Sequence, residues 1–192
     1  MPTVYCEKLM SIAQNEFHAF NFYIETEAPL LNRIKKYYAD LEWDFEGVGD
    51  DHPWSAVFIS WCIKTAGAED SEFNFSNGHS QFVYRCIQNR QANVGVFQAY
   101  MIGDLVLSVG DIIQNNRSGA AYSYEYASTH PSYNSHSAIV IALGENLEGK
   151  FAVTVGGNEH DTVGVRIVNL TAEGKVAQRG SNPYICVIKN LK

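Results

Sequence analysis

Three polar residues stand at positions where catalytic groups are commonly held: Ser55, His136 and Asn158. Ser55 begins a predicted helix in HPWSAVFISW, where free backbone N–H groups and the helix dipole stabilise negative charge. His136 opens the most apolar predicted strand, and Asn158 follows the next strand in VTVGGN. A nucleophile, a base and a group that orients the base make a Ser-His-Asn triad. The predicted chemistry is therefore nucleophilic attack on a carbonyl carbon.

Two of these residues also have a plainer interpretation. Serine is a preferred N-cap residue, so Ser55 could simply cap its helix. His136 could be a paired structural histidine at the mouth of a buried strand. Trp54, directly before Ser55, is a candidate substrate-binding residue. It could instead anchor its helix in the core.

The elements that must position these residues divide the chain into two parts. Residues 1–92 are predicted to be mainly helical and residues 93–192 mainly strands, which favours a single α+β domain over 1–192 with N-terminal helices on a small antiparallel sheet or barrel. The helical periodicity covers residues 5–20, 26–41, 53–66 and 79–90. The predicted strands are 105–109, 111–114, 136–143, 151–155, 163–168 and 185–188. Residues 118–135 are predicted to form a long loop, either a lid or a solvated surface segment.

The composition excludes several classes of partner. The chain has 192 residues with 14 basic and 21 acidic side chains, a formal charge of −7, and no run of Lys and Arg. This balance argues against a nucleic-acid or membrane-surface partner. No apolar stretch approaches the ~20 residues that span a bilayer, and the first residues carry charges where a signal peptide needs an apolar run. We expect synthesis in the cytoplasm without a signal peptide.

No metal or cofactor is predicted. The four cysteines show neither zinc-ligand nor disulfide spacing, and no H-E-x-x-H pattern is present. Cys62 lies seven residues after Ser55 on nearly the same helix face, but inside the apolar run FISWCI, which favours a core position. The glycines of VTVGG lack the Lys and the helix start of a phosphate loop.

One set of motifs resembles a known superfamily. PWSAVFISWCIKTAGA, the later His79, VGDII, SHSAIVIAL and VTVGGN are similar, over about residues 50–170, to the NlpC-like and CHAP-like branch of the papain superfamily. The similarity is greatest to an uncharacterised bacterial family with PWSAxFISW and GGN motifs. The resemblance implies a papain-like fold with Ser55 in the nucleophile position, where better understood relatives have Cys, His136 as base and Asn158 as orienter. It also implies that His79, in SNGHSQF, is a substrate-binding residue along the cleft; the plainer interpretation is a surface histidine in the cap region of another helix.

The same resemblance implies hydrolysis of an amide bond in peptidoglycan, as an endopeptidase or amidase. The alternatives are a non-catalytic module that binds cell-wall peptide or glycan, and an acyltransferase of the same superfamily. A further hypothesis is an antibacterial effector delivered by a dedicated secretion system to the periplasm of a target cell. An immunity protein would then be a partner in the producing cell.

Overall fold

The first part of the chain forms four helices, as predicted. The computed structural model describes residues 2–192, and a fifth, one-turn helix lies within the predicted loop. The helices are α1 (Val4–Phe20), α2 (Leu30–Asp40), α3 (Ser55–Ala66), α4 (His79–Ala92) and α5 (Tyr124–Ala127).

Local sequence signals explain where the helices begin and end. The Thr3 hydroxyl accepts a hydrogen bond from the Cys6 N–H and caps α1. Gly67 ends α3 in the left-handed conformation at φ +109°, as predicted. The prediction that α2 starts near residue 26 was wrong, because the helix begins only at Leu30, directly after Pro29.

The second part of the chain forms one antiparallel sheet. Its strands are β1 (Phe97–Tyr100), β2 (Ile112–Asn116), β3 (Ser135–Asn146), β4 (Gly149–Gly156), β5 (Gly164–Asn169) and β6 (Tyr184–Asn190). They lie in the order β1-β6-β2-β3-β4-β5, so the sheet is open, with β1 and β5 at its edges. One strand prediction was wrong, because residues 105–109 form turns and irregular backbone, and one strand, β1, was not predicted.

The main core lies between the helices and the sheet. Helices α1 and α3 pack on β3 and β4, and α4 packs on β1. Fully buried side chains at the centre of this layer include Trp54, Phe58, Phe82 and Ile139. A smaller apolar cluster that includes Val140 and Val187 covers the other face of the sheet. The chain is therefore an α+β protein whose helix α3 is held directly against the central strands.

The predicted loop at 118–135 is more ordered than its composition indicates. Ser123 caps α5 by accepting a hydrogen bond from the Tyr126 N–H. The Tyr122 and Tyr126 rings stack with centroids 4.6 Å apart. Tyr133, at the end of the segment, donates a hydrogen bond to Gln114 on β2. These contacts fix the segment over one end of the sheet.

Within residues 2–192, no helix is long and apolar enough to cross a membrane.

Candidate active site

Ser55 is the first residue of α3, and its hydroxyl is not used as a helix cap. Trp54 occupies the cap position and makes no side-chain capping bond. The Ser55 Oγ lies 2.7 Å from Nε2 of His79 and is almost completely buried, with 2% of the residue exposed. In the described part of the chain, the N–H groups of Ser55, Ala56 and Val57 have no hydrogen-bond acceptor. Ser55 thus has a base on its side chain and free donors beside its backbone.

His79 is the first residue of α4, so two helix N-termini meet at the Ser55–His79 contact. Burial lowers the pKa of His79 well below its ordinary value, and electrostatic interactions with His136 and Arg117 lower it further. His79 is therefore neutral at pH 7 and can accept a proton. Its Nδ1 is buried and has no hydrogen-bond partner within residues 2–192. Among the described residues, no third group therefore orients this imidazole as in a complete triad.

A second histidine lies beside the first and has its own carboxylate. The rings of His79 and His136 have centroids 5.3 Å apart. His136 Nε2 lies 2.8 Å from Oε1 of Glu159, and Arg166 Nε donates to Oε2 of the same carboxylate at 2.5 Å. Burial raises the pKa of Glu159, but its hydrogen bonds and charge interactions with His136 and Arg166 outweigh this and lower the pKa to about 2. Glu159 is thus ionised at any physiological pH.

Three glycines make room for this pair. A Cβ on Gly157 would lie 2.5 Å from Cβ of Phe58, so the backbone after β4 lies directly on α3. A Cβ on Gly156 would lie 3.0 Å from His136 Nε2, and one on Gly164 would lie 2.6 Å from Glu159 Cβ. Only residues without a side chain allow the turn to bring Glu159 under the imidazole.

The structure corrects parts of the predicted triad. Ser55 and His136 form no hydrogen bond in the described residues, and His79 takes the position next to Ser55. Asn158 lies in the left-handed conformation at φ +55° and makes no side-chain hydrogen bond, whereas Glu159, the next residue, binds His136. The turn rotates successive side chains in different directions, so a one-residue difference changes which side chain reaches the ring.

Trp54 is not available to a substrate. The side chain is completely buried, packs against Phe58, and donates its indole N–H to Glu25 Oε2 at 2.7 Å. The prediction that Trp54 contacts substrate was wrong, and the alternative of a core anchor is confirmed. Cys62 is also completely buried, and burial raises its thiol pKa, in agreement with a core position.

Two pockets open at the site and share one residue, Arg117. The first pocket, of about 490 Å³, has Ser55 and His79 in its wall, together with Asn77, Tyr133 and Asn134. The second pocket has about 500 Å³. Its wall includes His136, Asn158, Glu159, Arg166 and Arg179. Both volumes lie within the usual range for small-molecule sites.

The sequence contained only partial signals for these positions. Glu159 follows directly after GGN, and an acidic residue at the end of a buried strand is a candidate partner for a histidine. His79 could be recognised as a helix start after Asn77 and Gly78, but its contact with Ser55 depends on how α3 and α4 pack. Within residues 2–192, no group of three or more His, Cys, Asp and Glu side chains could hold a metal ion.

Comparison with known proteins shows which family the chain belongs to. A family model described as "Uncharacterized protein conserved in bacteria (DUF2272)" matches residues 33–187, well over half of the chain. The protein is therefore a member of this bacterial family. No curated protein and no solved structure matches the chain. The matched region contains Ser55, His79, His136 and Glu159.

Proposed function

We propose that this protein is a peptidoglycan amide hydrolase, an endopeptidase or amidase, with a papain-like fold of the NlpC/CHAP type and serine as the nucleophile. The observation that carries the proposal is the 2.7 Å contact between Ser55 Oγ and a buried histidine at the meeting point of two helix N-termini. A nucleophile, a neutral base and free backbone donors are the groups that acyl transfer requires. The peptidoglycan substrate rests on the resemblance of the sequence motifs.

The reaction begins with the Ser55 hydroxyl. Its Oγ attacks the amide carbonyl carbon while Nε2 of His79 takes the hydroxyl proton. Free N–H groups at the start of α3 stabilise the oxyanion. The C–N bond then breaks, and the imidazolium returns the proton to the leaving nitrogen. A water molecule hydrolyses the resulting ester by the same sequence, which restores the serine and releases the acid.

His136 and Glu159 support this reaction without contacting Ser55. The Glu159 carboxylate fixes the ring of His136 through Nε2. His136 lies beside His79, and its electrostatic interaction with that ring lowers the pKa of His79, which opposes protonation of His79. We therefore assign His79 as the general base and His136 as a positioning residue, in place of the Ser55–His136–Asn158 triad predicted from the sequence.

The test is the release of soluble fragments from purified sacculi, measured by mass spectrometry. We expect the wild type to release new fragments whose ends identify the cleaved amide. Ser55→Ala should release none and should keep the melting temperature of the wild type within a few degrees. Fragments released equally by Ser55→Ala would overturn the proposal, and unfolding of Ser55→Ala would indicate a structural role for the hydroxyl.

The burial of Ser55 favours a second candidate, a non-catalytic module that binds a cell-wall peptide in the same pockets. In this case wild type and Ser55→Ala would both pellet with sacculi and neither would release fragments.

Transfer of an acyl group to an acceptor other than water would use the same Ser55 ester, and an assay with a thioester donor separates it from hydrolysis. The protein could also act as an effector that is delivered to the periplasm of a target cell, with an immunity protein that protects the producing cell. In that case, expression in the periplasm should be toxic and expression in the cytoplasm should not.

A further inference from the structure

Three arginines line the pocket next to the Ser55–His79 contact: Arg117, Arg166 and Arg179. The chain as a whole has 14 basic and 21 acidic side chains, so a pocket with three arginines contrasts with the negative net charge of the protein. The same pocket contains two carboxylates, those of Glu159 and Asp161. Glu159 is already paired with Arg166 and His136. The pocket wall therefore has an excess of positive charge.

The arginines present unused donors to the pocket. Arg166 uses its Nε on Glu159, and Arg179 uses its Nε on the carbonyl oxygen of Asn182 at 2.9 Å. The Arg179 guanidinium also lies 4.4 Å from the centroid of the Tyr184 ring, which holds it in place. Within residues 2–192 the terminal nitrogens of both side chains form no hydrogen bond, and the Arg117 side chain forms none at all.

A structural arginine elsewhere in the chain behaves differently. Arg33 donates from Nε and Nη2 to the two oxygens of Glu16, at 2.8 and 2.5 Å, so its fork is occupied by the protein. A guanidinium whose two terminal nitrogens are free matches the two oxygens of a carboxylate. Neutral donors in the same wall, from the side chains of Asn115 and Ser181, suit such an anion as well.

We infer that this pocket binds a carboxylate of the substrate, so that the protein acts on peptides with a free carboxylate near the cleaved amide. The inference deepens the proposed function and rests on it for the position of that amide. Arg117 lines both pockets and joins the anion site to the Ser55 pocket. The carboxylate has two sources in a peptide: the main-chain carboxylate of a terminal residue and the side chain of an acidic residue.

The test is a binding titration that needs no turnover, on full-length Ser55→Ala. The probe is N-acetyl-L-alanyl-D-glutamate, compared with its α-amide, its γ-amide and its diamide by NMR. We expect the diacid to bind at least tenfold more tightly than the diamide, and the advantage to shrink as sodium chloride is added. The monoamide that binds as weakly as the diamide shows which of the two carboxylates the pocket binds.

Arg117→Gln and Arg179→Gln should each remove most of that tenfold advantage. The matched control is Arg90→Gln. Arg90 is exposed, and its guanidinium lies 4.5 Å from the centroid of the Tyr100 ring, an arrangement like that of Arg179 and Tyr184. Equal affinity for diacid and diamide, including no binding of either, would overturn the inference, as would an equal effect of Arg90→Gln. Binding of the diacid without sacculus hydrolysis would instead reject only the hydrolase proposal.

Discussion

Two buried glutamates, Glu16 and Glu159, form comparable networks in different regions of the molecule. Glu16 on α1 accepts two hydrogen bonds from Arg33 and one from the Tyr37 hydroxyl, and the Arg33 side chain is 20% exposed. Glu159 pairs with His136 and with Arg166, whose side chain is 47% exposed. Arg33 lies 4.5 Å from the Trp61 ring among the helices, whereas Arg166 lies in a pocket wall.

The two networks use the same residue types for two purposes. In the helical network, both oxygens of Glu16 accept hydrogen bonds from Arg33 and one of them also accepts from Tyr37, which favours a role in holding α1 and α2 on α3. The network of Glu159 contains a histidine beside a second histidine and an arginine with free terminal nitrogens. We interpret the first network as a structural brace and the second as part of the reactive site.

The largest expected effect concerns the two histidines. His79→Gln should lower turnover of sacculus fragments about 10²- to 10⁴-fold, because it removes the proton acceptor of Ser55. His136→Gln should lower turnover only about tenfold and should move the acidic limb of the pH profile to higher pH, because His79 then protonates more easily. The measurement is the pH dependence of the initial rate. A larger loss in His136→Gln, with an unchanged profile in His79→Gln, would restore His136 as the base.

The second comparison removes each glutamate in turn. Glu16→Ala leaves Arg33 and Tyr37 without their partner in a mostly buried place, and we expect a loss of about 3–5 kcal/mol in the free energy of unfolding. Glu159→Ala leaves Arg166 able to reach water, and we expect a smaller loss of about 1–2 kcal/mol in the free energy of unfolding. Urea unfolding of both variants measures these values. Equal losses, or unchanged turnover in folded Glu159→Ala, would remove the distinction between brace and reactive site.

The smallest effect is the pH dependence that His79 gives to stability. Folding lowers the pKa of His79, so the unfolded chain binds a proton near pH 6.5 that the folded protein does not bind. The contribution of neutral His79 to the free energy of unfolding is fully present above pH 6.5. It is lost as the pH falls below this value, at up to about 1.4 kcal/mol per pH unit. Urea unfolding of wild type and His79→Gln between pH 7.5 and 5 measures the difference. A wild-type slope that persists in His79→Gln would contradict this assignment.

Local sequence signals predicted the helices that begin and end at clear markers. Gly67 and the uninterrupted apolar run before it placed α3, and that placement put Ser55 at a helix start. The β-branched segments predicted five of the six strands and the antiparallel sheet. The short strand β1 was not predicted because its four residues, FQAY, carry little periodicity and depend on pairing with β6.

The partners within the site could not be predicted from the sequence, because they depend on distant contacts. His79 and Ser55 are 24 residues apart, and only the packing of α3 and α4 brings them together. Glu159, and not the predicted Asn158, binds His136 because of the turn after β4. Three non-glycine residues of this turn, Asn158, His160 and Asp161, take left-handed conformations. A sequence pattern does not show which side chain such a turn directs at the ring.

Activation of Ser55 by His79 can be tested with a fluorophosphonate probe, without knowledge of the substrate. Attack by Ser55 Oγ forms an O–P bond, fluoride leaves, and His79 takes the hydroxyl proton. Intact-mass and peptide mass spectrometry should find one adduct, on Ser55, in the wild type. The adduct should be absent from Ser55→Ala and strongly slowed in folded His79→Gln. No adduct in the wild type, or equally fast labelling of His79→Gln, would contradict the account.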